Sequence, residues 1–159
     1  MIIVSDTSPI SNLLQIGEIG ILRAVFARVI IPPSVYSEIC EVEESRQALA
    51  NLDWIESREV AETGLQDQLK QTLDPGEAEA IALAIELSAD SLLIDESLGR
   101  SVADQLGVRI TGLLGVLLEA KDGGHISAVR PFIDRLVSEA GFRLGRELIN
   151  DVLYQAGEI

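Results

Sequence analysis

An α/β fold, with a central parallel sheet and helices on both faces, is what this sequence predicts, on three observations. Short apolar runs of Ile, Val and Leu alternate with longer stretches whose apolar residues recur at helical spacing, the order that generates βαβ units. Aromatic residues are only 4% of the chain against 47% hydrophobic, so the core must be aliphatic, as buried parallel strands are. A length of 159 residues suffices for one core but not two. A single domain over 1–159 is therefore expected, with residues 125–159 as a helical C-terminal extension of it.

The first strand covers residues 1 to 5 and ends at Asp6, and Ser8-Pro9 offers a helix entry, serine as N-cap and proline at the first helical position. Ile10, Leu13, Leu14 and Ile16 carry that helix to a break near Gly17; it resumes over 19–26 and leads to a second strand, Val29-Ile30-Ile31, closed by Pro32-Pro33. Ser34 caps a helix over 34–44, with Val35, Ile39 and Val42 on its apolar side. A short strand is expected within 52–60, around Trp54, then a polar, weakly helical stretch over 61–73. Asp74-Pro75-Gly76-Glu77 opens the clearest helix, to about Leu87, before a buried strand over 91–94. A helix over 98–106, a strand over 108–110 and a helix over 113–121 continue the alternation. Two last helices carry Phe132, Ile133, Leu136 and Val137, and Leu148, Ile149, Val152 and Leu153.

Several chemistries are excluded. Cys40 is the only cysteine, which rules out an intrachain disulfide and leaves a cysteine-based zinc site without partners; a reducing cytoplasm is expected. His125, the only histidine, follows Gly123-Gly124 in an evident turn, so Ser-His-Asp and Cys-His schemes have little to work with. No phosphate-cradling glycine loop follows the first strand, and Gly112 and Gly115 read as packing or turn positions. The opening MIIVSDTSP reads as a strand, not a signal, and no run approaches the ~20 apolar residues of a membrane helix, so a soluble protein is expected. Twenty-six acids against twelve bases give a net charge of −14, which opposes attraction to a polyanion unless bound divalent ions reverse the field locally.

In open parallel sheets, ligands sit beyond the carboxyl ends of the strands, which singles out Asp6 and Asp95. Either could be a turn or capping aspartate, although Ser8 and Ser97 are at hand for capping. Glu77 completes a capping box with Asp74, which needs no active site. At about 100° per residue, Glu79 and Glu86 fall within about 20° of each other and mark a solvated stripe, with Glu77 about 180° from Glu86. Glu38 lies at the edge of the buried stripe of its helix, where a surface role competes with a place on the rim of a cleft. Arg100, one turn beyond Asp95, could meet a phosphate or form a surface ion pair.

Taken together, Asp6 in VSDTSP, Glu38 in PPSVYSEI, Glu77 in LDPGEAEAIALA and Asp95 in LLIDESLGR resemble the acidic quartet of PIN-domain proteins. The resemblance spans Ile2 to about Gly157, and the nearest likeness is to the bacterial and archaeal branch of predicted nucleic-acid-binding PIN proteins, similar to VapC-type toxin ribonucleases. It implies Mg²⁺- or Mn²⁺-dependent cleavage of RNA, with Asp6, Glu38, Glu77 and Asp95 as catalytic and metal-holding residues, in a toxin with a cognate antitoxin and a homodimeric state. Thr7 or Ser8 would orient a metal-bound water, and Arg100 would meet substrate phosphate. Many toxin PIN domains have aspartate where Glu77 stands. Two rivals remain: a non-catalytic PIN-like module that binds a protein or nucleic-acid partner, and a haloacid-dehalogenase-like phosphatase, whose motif wants a second aspartate where this chain has Ser8.

Overall fold

In a computed structural model that describes residues 1–159, five parallel strands form one sheet flanked by ten helices. In chain order these are β1 (Ile3–Ser5), α1 (Thr7–Gln15), α2 (Gly20–Phe26), β2 (Val29–Ile31), α3 (Pro33–Ile39), α4 (Glu43–Ala50) and β3 (Ile55–Ser57). There follow α5 (Thr63–Leu69), α6 (Pro75–Glu86), β4 (Ser91–Leu93), α7 (Ser97–Gln105), β5 (Ile110–Thr111), α8 (Leu113–Asp122), α9 (Arg130–Glu139) and α10 (Arg146–Gln155). Every residue of β1, β2 and β4 is buried. Since successive side chains of a strand point to opposite faces, both faces of the sheet are covered, as the aliphatic composition predicts.

The strand order is β3-β2-β1-β4-β5. From β1 the chain builds outward through β2 to β3, then returns to lay β4 on the other side of β1. The crevice between the carboxyl ends of β1 and β4 is thus the topological switch point, where open α/β sheets hold their ligands. Register puts Ser5 opposite Leu93, and the Asp6 amide donates to the Leu93 carbonyl at 2.9 Å, so the segments after both strands leave the sheet side by side.

Several boundaries differ from the sequence expectation. The helix expected over 34–44 is two helices, because Val42 takes extended backbone (ψ 120°) and Glu43 and Glu44 begin a new first turn, where negative charge suits a helix N-terminus. The strand expected over 52–60 is only Ile55–Ser57, since the Leu52 amide still closes α4 on Leu49. The fifth strand begins at Ile110 and not Val108, whose amide donates back to Ala103 at 2.9 Å at the end of α7. Ser8, Ser34 and Ser97 are not N-caps: Asp6, Pro32 and Glu96 hold those positions and each serine lies inside the first turn. In the C-terminal region α9 packs on α1 and α10 on α8. Glu158 ties the end of the chain to α9, accepting from the amides of Val129 at 2.7 Å and Arg130 at 3.0 Å.

Candidate active site

Asp6 is fixed by the last turn of sheet pairing and is only 3% exposed. As N-cap of α1 it makes no side-chain capping bond, and its Oδ1 is buried without a partner. Burial pushes its pKa up to about 7, opposed by the Thr7 amide and reinforced by the negative charges of Asp74, Glu38 and Asp95. Three other carboxylates, carried by separate elements, thus bear on Asp6.

Glu77 enters from the first turn of α6 and is 8% exposed. Its pKa is pushed up to about 8, by burial first, then by its hydrogen bond with Asp74 and the charges of Asp74, Asp6 and Glu96. Its Oε2 is buried without a partner. Asp74 does act as the cap, accepting from the Glu77 amide at 2.8 Å. The capping reading and the cluster reading therefore hold for different residues of one motif: Asp74 caps, and Glu77 carries a buried carboxyl that feels the charges of Asp74 and Asp6.

Asp95 follows β4 and Ile94. Its Oδ1 accepts from the Leu113 amide at 2.9 Å, at the start of α8, while Oδ2 is buried without a partner. Burial raises its pKa, against the Leu113 amide and the Arg100 guanidinium, with Glu96 adding to the rise. Arg100 makes no salt bridge; it donates to the Ile94 carbonyl at 2.9 Å and flanks Asp95. Glu38 reaches over from α3 with both oxygens engaged, one by the Thr7 hydroxyl and one by the Gly76 amide at 3.2 Å. Ser8 Oγ, on the first turn of α1, is buried with no partner.

Three glycines stand against these acids; the sequence marked Gly112 only as a packing or turn position and did not single out Gly76 or Gly99. A Cβ at Gly76 would stand 2.6 Å from Glu38 Oε2, one at Gly112 would be 3.0 Å from Asp95 Oδ1, and one at Gly99 would collide with Glu77 Oε2. Asp74 and Glu96 were missed as charges bearing on the cluster. A signal for Asp74 was its place in the capping box; for Glu96, its adjacency to Asp95 in LLIDES. Glu79 is a correction. It is 6% exposed and not on a solvated stripe: it accepts from the Ser34 amide at 3.0 Å and from the Ser34 hydroxyl, and pairs with Lys70 at 3.0 Å. Glu86 is exposed, as expected, and accepts from the amides of Ala61 and Glu62.

Beside Asp95 opens a cleft of about 890 Å³. Ser8 and Asn12 of α1, Arg100 of α7 and Arg143 of the α9–α10 connection contribute polar groups to it, with Leu144 and Leu148 among its apolar lining. Of the four acids only Asp95 lines this cleft, with Glu96 beside it and two arginines along it.

No three acidic, imidazole or thiol side chains are gathered tightly enough to hold a metal ion among themselves. Magnesium is bound through one or two carboxylates, with waters and substrate phosphate completing the octahedron, so an open arrangement suits it. The donor set is all oxygen, and the unpartnered Asp6 Oδ1, Glu77 Oε2 and Asp95 Oδ2 are buried acceptors of the kind a hard cation satisfies.

A family model described as a PIN domain matches residues 2–158. The chain belongs to the PIN-domain family. Members are in general nucleases that typically use divalent metal ions, so nuclease-type function is the general assignment. No curated protein matches the chain. No helix of this PIN domain is long and apolar enough to cross a membrane.

Proposed function

We propose that this PIN domain is a divalent-metal-dependent endoribonuclease in which Asp6, Glu77 and Asp95, one or two to an ion and completed by waters and substrate phosphate, would hold Mg²⁺ or Mn²⁺ at the β1–β4 crevice, with Glu38 at its rim. The observation that carries the reading is the set of three buried carboxylate oxygens without partners, on residues from three elements beside one crevice. Leaving such groups unpaired costs about 1–3 kcal/mol each, more when charged, so a fold that keeps three of them is organised around something that arrives. When bound, the ion would lower the pKa of a coordinated water and offset charge at the phosphate under attack.

The protein's own groups would do the rest. Ser8 Oγ, buried and unpartnered, is free to accept or donate a bond to a water at the crevice. Thr7 donates to Glu38 and so orients that carboxylate instead of a water. Arg100, anchored on the Ile94 carbonyl, and Arg143 would steer the substrate backbone along the cleft toward Asp95. With a net charge of −14, RNA binding should be weak and only modestly salt-dependent, since few phosphates are neutralised by lysine or arginine.

The resemblance to toxin ribonucleases supports a reading as a cytoplasmic, homodimeric toxin with a cognate antitoxin, whose basic segment would meet the acids in place of the ion. Turnover of a labelled RNA set with Mg²⁺, with Mn²⁺ and with chelator, comparing wild type with Asp95→Asn, tests the activity. Cleavage that both proteins retain in chelator would mean a contaminant. No cleavage with any metal would favour the non-catalytic binding module, for which the large negative charge already speaks. Growth arrest on expression, relieved by a co-expressed partner, tests the toxin assignment.

A further inference from the structure

Helices α3 and α6 both begin with proline, and in each the backbone amide at the second helical position has no intrahelical acceptor: Ser34 in α3 and Gly76 in α6. Each amide is satisfied by a glutamate of the other helix. Glu79 of α6 accepts from Ser34 at 3.0 Å, and Glu38 of α3 accepts from Gly76 at 3.2 Å. The exchange is reciprocal, and it sets the axial position of α3 against α6 at both ends of the shorter helix.

The two glutamates differ in what else they do. Glu38 also receives the Thr7 hydroxyl at the start of α1, immediately after Asp6. Glu79 faces no member of the acidic cluster; its remaining partners are the Ser34 hydroxyl and the Lys70 ammonium at 3.0 Å. Lys70 is the C-cap of α5, so the same carboxylate joins three helices. There is no room for Glu38 to shift toward Gly76, because a single added carbon there would stand 2.6 Å from it. Its position is therefore a consequence of where α3 sits, and Glu79 holds the far end of α3.

We propose that Glu79 is a positioning residue for the acidic site: by capping the start of α3 it fixes the carboxylate of Glu38, one turn further on, over the Thr7 hydroxyl and the Gly76 amide. The proposal rests on the reading of Glu38 as part of the site, but its geometry can be tested apart from any activity.

Amide hydrogen exchange separates the two. Replacing Glu79 by alanine does not weaken α6 as a helix, since alanine is the better helix former, so a rise in exchange at Gly76 beyond any uniform rise at the core amides of α6, such as that of Ile81, reports the loss of Glu38's hold. Glu79→Ala should speed exchange at Ser34 and also at Gly76. In RNA turnover it should lower kcat by about 10–100-fold, the range for residues that orient a site without touching substrate, with little change in KM. Glu79→Gln, which keeps an acceptor for Ser34, should restore both readouts to near wild type, and Lys70→Met should leave both nearly unchanged. Ser34→Ala, which removes only the hydroxyl contact, should shift both in the same direction by less, and serves if Glu79→Ala does not fold. Faster exchange at Ser34 with Gly76 unaltered would overturn the proposal and leave Glu79 as a local cap. If the wild type cleaves nothing, the exchange at Gly76 still decides the positioning, and only the nuclease reading falls.

Discussion

Two glutamates of α6, two residues apart, are both more than nine-tenths buried and have opposite environments. Around Glu79 every requirement of a buried carboxylate is met: burial raises its pKa, but the Ser34 hydroxyl and amide and the Lys70 ammonium outweigh that and hold it below the ordinary carboxylate range. Around Glu77 the neighbours are Asp74, Asp6 and Glu96, one oxygen has no partner, and the pKa climbs to about 8. The sheet-end side of the helix is electrostatically incomplete where the α3 side is complete. Completeness is what a structural carboxylate looks like; incompleteness at a strand-end crevice is what a site for a cation looks like.

The sharpest way to break the comparison is to neutralise the incomplete side. Asp95→Asn should cost more than about a hundredfold in metal-dependent RNA turnover, since even residues that merely support a metal site cost 10–100-fold, while the far-UV spectrum stays unaltered. Turnover within tenfold of wild type would place the chemistry elsewhere.

Stability against pH comes next. Asp6 and Glu77, with ordinary values of 3.8 and 4.5, hold their protons to about 7 and about 8 in the folded protein. Below about pH 4 both folded and unfolded chains are protonated at these sites, and nothing is lost. Between the ordinary and the folded values only the unfolded chain releases the protons, so in chelator the unfolding free energy read from urea curves should fall as pH rises, on the order of 4 kcal/mol from Asp6 alone. Asp6→Asn should flatten the fall below pH 7. Glu79, Glu86 and Glu158, held low, act in the opposite sense and below that window. A midpoint rising steadily from 5 to 8 would contradict the comparison.

Supplying the missing partner should reverse the loss. Mg²⁺ or Mn²⁺ at a hundred times its dissociation constant stabilises the native state by about 2.7 kcal/mol, or roughly 5–10 °C for a chain of this size. Scanning calorimetry should show that rise in wild type and not in Asp6→Asn; an equal rise in both would put the ions elsewhere.

How much of this was legible in the sequence follows physical lines. Strand ends are marked by apolar runs that stop at an acid, so Asp6 and Asp95 and the α/β class could be read directly. Glu79 could not. The angular argument assumes a helix with one wet face, but Gly76 to Ala84 of α6 are all buried, so angle no longer sorts water from protein. The serine caps failed for a related reason: with Asp6 and Glu96 already at the N-cap positions, Ser8 is left unpartnered inside the first turn. Gly112 could be read as a packing or turn position, but the acids that the three glycines make room for are invisible in one dimension, because each contact comes from a distant part of the chain.

Those glycines give a smaller effect. Gly99→Ala should cost about 1–3 kcal/mol, as overpacking does, because its methyl would meet Glu77 and, at 2.7 Å, Ile94 Cδ1. The smallest change belongs to the exposed end of α6. Glu86→Gln keeps a carbonyl acceptor for Ala61 and Glu62 and should alter the unfolding free energy by no more than about 0.5 kcal/mol, the ordinary surface range.

The contact between Gly99 and Glu77 also makes two positions interchangeable in volume. One side chain is absent so that another can reach, and the length of the third acid is written partly in α7. Shortening the acid by one methylene, Glu77→Asp, would withdraw its oxygens from Gly99 and open space of about the size that alanine fills there, leaving Ile94 alone to adjust. Glu77→Asp and Gly99→Ala should therefore be less harmful together than the sum of their separate effects. Sequences carrying aspartate at the third acid are then the ones free to carry a larger residue at the position of Gly99, and the two should be exchanged as a unit when this site is redesigned.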